Sequence, residues 1–202
     1  MIKKLTYLIL FIIVSICSYS NASSTVSLQQ KSISQIKDLD FMVDESLLIN
    51  KDMRNTKYNI KFQIPDKVRK EVTFPEMNKG ELYVYNKNKK LTYLPMFDQK
   101  TIDDITGNEN KIIEVMNYIF QMEKTDPNFK KEYYEKKVKG IRLGKTTIIH
   151  FENYKDFNGY LFPIDFLITE QDNKGQENKV GELHTSDVKI DPAFSDKEFI
   201  IE

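Results

Sequence analysis

The sequence predicts an α+β domain: a large antiparallel β-sheet with helices gathered on one side. Three observations lead there. Apolar and polar residues alternate along several stretches early in the chain and again near its end. Between them, over 108–123, the apolar period changes from two to about 3.6. The 202 residues are 40% hydrophobic and 30% charged, a globular composition of a length that suits one domain.

The first segment reads as an address. Lys3 and Lys4 precede an apolar run over 5–17. That run is about 13 residues long, short of the roughly 20 that span a bilayer. Ser20 and Ala22 supply the small side chains that precede a cut after Ala22. Residues 1–22 are therefore expected to be a secretory signal peptide, and 23–202 a single domain exported to the periplasm; an uncleaved anchor helix is the alternative. Cys17, the single cysteine, follows the branched Ile16. Lipid attachment wants a small residue there, so Cys17 reads as an ordinary residue of the apolar run, and no disulfide framework forms within the chain.

A short helix is expected over 27–37, from Leu28, Ile33 and Ile36. From Phe41 the period is two: Phe41, Val43, Leu47 and Ile49 alternate with Met42, Asp44, Ser46 and Leu48. The polar stretch 50–55 reads as a turn. Tyr58, Ile60, Phe62 and Ile64 then alternate with Asn59, Lys61 and Gln63, so Ile60 and Phe62 should face the core while Lys61 and Gln63 face water. Pro65-Asp66 breaks the strand. Further strands are expected over 68–74, 81–85 and 91–95, the last two flanking a hairpin turn at Asn86 to Lys89. Thr106 and Glu109 resemble a capping box for the helix over 108–123. A second helix over 129–137 follows Asp126-Pro127, and strands over 146–151, 159–169 and 180–190 complete the sheet.

Composition excludes several functions. Thirty basic and 30 acidic groups balance, whereas nucleic acid or an acidic membrane would call for a basic excess. Two histidines and one cysteine nearly exclude an ordinary zinc site of nitrogen and sulfur ligands. No dinucleotide fingerprint, P-loop, nucleophile elbow or H-E-x-x-H motif is present. His150 and His184 read as surface or strand-edge imidazoles, Asp103-Asp104 as a solvated loop, Asp165 as an outward strand residue, and Lys87, Lys89 and Lys90 as hairpin solvation. No catalytic residue and no cofactor is expected.

What stands out is apolar surface. Over 112–122 the helix carries Ile112, Ile113, Val115, Met116, Ile119, Phe120 and Met122. These cover about 180° of the wheel, wider than the roughly 100° stripe of a one-sided surface helix. Such a helix is either deeply buried or touches an apolar ligand as well as the core. Its polar arc, Asn110, Lys111, Glu114, Asn117 and Gln121, is expected to face solvent, and one of its flanks to border a pocket.

The order of features resembles the outer-membrane lipoprotein carrier (LolA-like) family across most of 40–202. The matching stretches are Phe62 to Glu71 around Pro65, the hairpin Gly80 to Asn86 with Leu91 to Pro95, the strand Tyr154 to Ile164 with Gly159 and Phe162-Pro163, and the ending Asp187 to Pro192 with Asp196 and Phe199. The resemblance implies an open, strongly curved antiparallel sheet, an incomplete β-barrel, with helices covering its concave apolar face. It implies a carrier without covalent chemistry. Such a carrier takes lipoprotein acyl chains from an inner-membrane release complex to an outer-membrane acceptor, as a monomer. A lipid- or lipoprotein-sensing module acting through protein contacts is the alternative. The expected cavity lining is Phe41, Val43 and Leu47, then Tyr58, Ile60 and Phe62, then Tyr83 and Tyr85. From the helix it adds Ile112, Ile113, Met116, Ile119 and Phe120. In the family an arginine directly before the turn proline latches the lid; here that position is Ile64. Arg69, one of three arginines in a lysine-rich chain, is expected to hold structure or lid through its planar fork, to carbonyls or a carboxylate.

Overall fold

The structure is a computed structural model that describes residues 30–86, 88–105 and 111–200. The expected signal peptide, Cys17, Leu28, Lys87, the Thr106/Glu109 capping box and Asn110 lie outside the described residues.

Ten strands form one antiparallel sheet in the order β6-β5-β4-β3-β2-β1-β10-β9-β8-β7. They are β1 (Asp38–Ile49), β2 (Asp52–Gln63), β3 (Lys67–Phe74), β4 (Leu82–Asn86), β5 (Lys89–Leu94), β6 (Gln99–Asp104), β7 (Gly140–Leu143), β8 (Thr147–Phe157), β9 (Tyr160–Gln171) and β10 (Glu177–Ile190). Two meanders, β1 to β6 and β7 to β10, are zipped together where β1 pairs with β10. The edges β6 and β7 do not pair with each other, so the sheet stays open. Bulges in the β1–β10, β9–β10, β2–β3 and β8–β9 ladders add twist and bend it. At one of these bends Gly181 lies against β1, where a Cβ would meet the Ser46 carbonyl at 2.8 Å; only glycine allows that approach.

The chain passes from edge β6 to edge β7 through α1 (Lys111–Thr125) and α2 (Pro127–Tyr134). A connection between opposite edges must cross a face, and these helices cross the concave one. Asp126 caps α2, its Oδ1 accepting from the Asn128 and Phe129 N–H groups at 2.9 and 3.1 Å.

Strand alternation sorts the faces. Leu39, Phe41, Val43, Tyr58, Ile60, Phe62 and Val68 point inward and are almost wholly buried beneath Ile112, Val115, Met116 and Ile119 of α1. Lys61 and Gln63 point the other way and are half-buried. Tyr133 of α2 is fully buried and donates to the Leu161 carbonyl at 2.7 Å. Aromatic rings then continue the core: Phe129 stacks on Tyr133, and Tyr154, Phe151 and Phe166 follow edge to face.

Several elements differ from expectation. The first helix is a single 3-10 turn at Ile33–Gln35 among the described residues. The turn expected over 50–55 shrinks to Asn50 and Lys51, because β2 begins at Asp52 and pairs Met53 with Leu48. β6 and β7 are strands where none was expected, so Asp103 and Asp104 sit in a ladder rather than a loop. β8 runs on to Phe157 beyond a bulge, and α2 starts at Pro127 and ends at Tyr134.

Candidate functional site

Beside the helices the concave face opens into a cleft of about 680 Å³, within the size range of small-ligand sites. One wall is α1, through Ile113, Glu114, Asn117, Tyr118 and Gln121. The facing walls are Pro65 and Asp66 after β2, Val68 of β3, Tyr85 of β4, Ile105 after β6, and Leu143 to Thr147 at the β7–β8 turn. Val68, Tyr85, Ile113 and Leu143 supply apolar lining, and Asp66, Lys111, Glu114, Asn117, Gln121 and Lys145 supply polar lining. Lys111 lies 3.6 Å from the Glu114 carboxylate, whose side chain is 13% exposed. Within the polar arc expected to face solvent, Gln121 is exposed and Lys111 and Asn117 are half-buried, whereas Glu114 turns inward and its Oε2 is buried without a hydrogen-bond partner.

Among the residues expected to line a cavity, Tyr85 and Ile113 stand on the cleft wall, both half-buried. Phe62 lies one strand deeper, paired with Val68. Phe41, Val43, Tyr58, Ile60, Ile112, Met116, Ile119 and Phe120 fill the core between sheet and helix, where Phe120 meets Phe162 edge to face at 6.5 Å. Leu47 packs against this core at half burial. Tyr83 also points to the concave face but makes polar contacts. It donates to Glu81 Oε2 at 2.7 Å; burial first, and then this bond and the Glu81 charge, raise its pKa.

Tyr83 belongs to a cluster that the sequence reading did not single out. Lys70 lies 3.8 Å from the Tyr58 ring centre and 5.9 Å from that of Tyr83, and Lys90 lies over Tyr83 and Tyr85. Tyr58 donates to Glu45 Oε1 at 3.2 Å. Burial lowers the Lys70 pKa, and the Glu45 charge opposes that shift. Cross-strand register was the missing signal: Lys70 pairs with Tyr83 on β4 and with Ile60 on β2, which fixes its face.

Arg69 stands on the convex face, away from α1 and α2. Its guanidinium donates to the Glu198 carbonyl at 3.4 Å and meets Glu71 at 3.3 Å. Only the Glu198 carbonyl ties it to the C-terminal segment; Glu71 lies on β3 itself.

The histidines are paired at the surface. His150 Nε2 lies 2.9 Å from Glu177 and 3.2 Å from Thr169. His184 pairs with Asp165, which also accepts from Asn153 at 2.6 Å. Among the described residues no group of three His, Cys, Asp or Glu side chains is arranged to hold a metal. No helix there is long and apolar enough to cross a membrane.

No protein-family model and no curated protein matches the chain. Solved structures do match. A LolA superfamily protein from Nitrosomonas europaea superposes with a TM-score of 0.54 at 11% identity, over 89% of this chain and 99% of that one. A proposed outer membrane lipoprotein-sorting protein domain from Vibrio parahaemolyticus gives 0.51 at 12% identity, over 80% and 88%. A DUF1329 family protein from Desulfovibrio piger gives 0.52 at 11% identity, over 82% and 90%. At these identities the likeness is one of fold, and the fold of this chain is the LolA-like one.

Proposed function

We propose that the protein is a periplasmic carrier that receives the acyl chains of lipoproteins at the inner membrane and delivers them to the outer membrane. The observation that carries this reading is the cleft of about 680 Å³ opening beside a helix-covered apolar face in a LolA-like fold. An acyl chain in water costs about 0.8 kcal/mol per CH₂, so a carrier needs an apolar site that accepts it and still lets it go. A cleft lined by both apolar and polar side chains suits an amphiphile. The reaction is binding and release, with no bond made or broken.

Native mass spectrometry of the protein purified from the cell envelope tests the ligand class: a bound lipid or lipoprotein is expected. In vitro, a fluorescent apolar probe should bind the wild type, and Ile113→Asp should weaken binding at least tenfold. Ile113 is half-buried on the cleft wall, so the melting temperature should fall by only a few degrees. Absence of both lipid and probe binding defeats the carrier reading.

A second reading, a lipid- or lipoprotein-sensing module, is favoured by one observation. Met77, Met96 and Phe97 are 62–70% exposed on the connections β3–β4 and β5–β6. Exposed apolar side chains on neighbouring hairpins suit a protein contact. Release of lipoproteins from spheroplasts by the purified protein separates carrier from sensor.

A further inference from the structure

One row along the strands from the cleft wall, the concave face of β3 to β5 changes character. Val68 and Tyr85, which line the cleft, are paired across β3 and β4. Two residues on, roughly 7 Å along the strands, Lys70 pairs with Tyr83, and on β5 Lys90 pairs with Tyr85. Alternation keeps these side chains on one face. The Lys70 ammonium lies 3.8 Å from the Tyr58 ring centre and 5.9 Å from that of Tyr83. Lys90 lies 5.4 and 5.8 Å from the ring centres of Tyr83 and Tyr85. Lys70 is half-buried, and among the described residues its ammonium has neither a hydrogen-bond acceptor nor an ion-pair partner.

The nearby acids are taken by other partners. Tyr58 donates to Glu45 Oε1 at 3.2 Å, and Glu81 accepts from Tyr83 at 2.7 Å and from the Asn78 side chain at 2.6 Å. A ring face attracts an ammonium without occupying its N–H donors, so those of Lys70 are left for an oxyanion. Burial lowers the Lys70 pKa, Glu45 opposes that shift, and the Lys90 charge adds to it. An anion against Lys70 would offset both the burial and the repulsion. We propose that Lys70, with Lys90 beside it, receives the anionic end of an amphiphile, a carboxylate or a phosphate, whose chain runs along Val68 and Tyr85 into the cleft. This inference rests on the carrier reading of the cleft and names the class of ligand the cleft prefers.

Displacement of the fluorescent apolar probe tests it, with oleate, monooleoyl phosphatidic acid and monoolein as competitors. The three share one chain and differ in the charge of the headgroup. Wild type should bind both anionic lipids about tenfold more tightly than monoolein. Lys70→Met keeps the side-chain volume, removes the ammonium and should all but erase that preference. Lys145→Met, at another cation that lines the cleft, should reduce it less. If Lys70→Met does not fold, Lys90→Met takes its place and should at least halve the preference. Equal affinity of wild type for the three lipids, a preference that survives Lys70→Met (or Lys90→Met in its place), or a larger loss from Lys145→Met overturns the inference. So does inorganic phosphate that abolishes the preference at concentrations comparable with the lipids, because the site would then belong to a free anion. If none of the three lipids displaces the probe, the carrier reading fails and this inference with it.

Discussion

On the concave face Phe41, Ile60 and Phe62 meet α1 in one continuous core that also takes in α2 and strands from both meanders. Across the same sheet, on the convex face, Leu82, Val84 and Phe199 make a second apolar patch with Leu91, Tyr93 and Phe194. There the C-terminal segment is strapped over β2 to β5 by Lys61–Glu198 and Lys67–Asp196, each at 2.6 Å, and by Asp38, whose Oδ2 accepts from the Phe194 N–H at 3.1 Å. The first core is contributed by elements from the whole chain, so losing it means unfolding. The second is one segment on a finished sheet, so it can detach while the sheet stays folded.

That difference is broken most directly from the concave side. Phe62 has no exposure and sits between sheet and helix. Phe62→Ala should cost about 3–5 kcal/mol, read as a lower denaturant midpoint with an unchanged slope. A loss below about 1 kcal/mol would mean that the site lines an open cavity rather than packed core.

The Glu123 cluster, which ties α1 to α2 and to the N-terminal segment, contributes the next effect, and pH exposes it. Burial pushes the Glu123 carboxyl up, but hydrogen bonds from Lys130, Ser34 and Ser32 and the Lys130 charge outweigh it, leaving the pKa below the ordinary 4.5. A lowered carboxylate pKa adds stability that is complete above the unfolded value and is lost as pH falls through the folded one. Wild type should therefore be more stable than Glu123→Gln at pH 7. The gap should begin to close once the pH drops below 4.5. Thermal melts of both proteins across that range check the sign; a gap that widens in acid contradicts it.

On the convex side the cost is capped. Phe199→Ala cannot cost more than the strap gains by docking, and so less than Phe62→Ala, although Phe199 is as buried as many core residues. Adding Phe194→Ala should bring little more, because its ring packs edge to face on Phe199 at 5.8 Å and both losses release the same segment. Limited proteolysis should then cleave the C-terminal segment and leave the sheet intact. Fully additive losses, with global unfolding, would place the strap in the main core.

The two faces also differ in how well the sequence displays them. Residues 58–64 alternate because one side meets the core and the other does not, and the broad apolar arc of 112–122 is spent on Ile112, Val115, Met116, Ile119 and Phe120. Both signals come from burial on a long element. β6 and β7 are edges, and edges carry weaker patterns: β6 holds Lys100, Asp103 and Asp104, its Ile102 is 68% exposed, and β7 is four residues long. The bulge after Phe151 breaks the alternation of β8 before its last residues pair with Tyr160 to Pro163. The polar links were the hardest to see. Ser32 and Glu123 are 91 residues apart, Arg69 and Glu198 129, and no local period relates such pairs. The packed core was thus legible, whereas the cleft wall beyond Tyr85 and Ile113, the Lys70–Tyr83 cluster and the Glu123 contacts depend on tertiary register.

The smallest expected effect belongs to a residue beneath the strap. Arg69 is 22% exposed at the side chain, and its contacts at 3.3 and 3.4 Å are long. Lysine keeps the charge but loses the fork that reaches Glu71 and the Glu198 carbonyl together. Arg69→Lys should therefore cost under about 1 kcal/mol. Because Arg69 lies on the face opposite α1, probe binding should be unchanged, while proteolysis of the C-terminal segment should quicken slightly. A loss of probe binding without a loss of stability would couple the strap to the cleft through the sheet. Phe199→Ala, which frees the strap altogether, should then impair binding more than Arg69→Lys does.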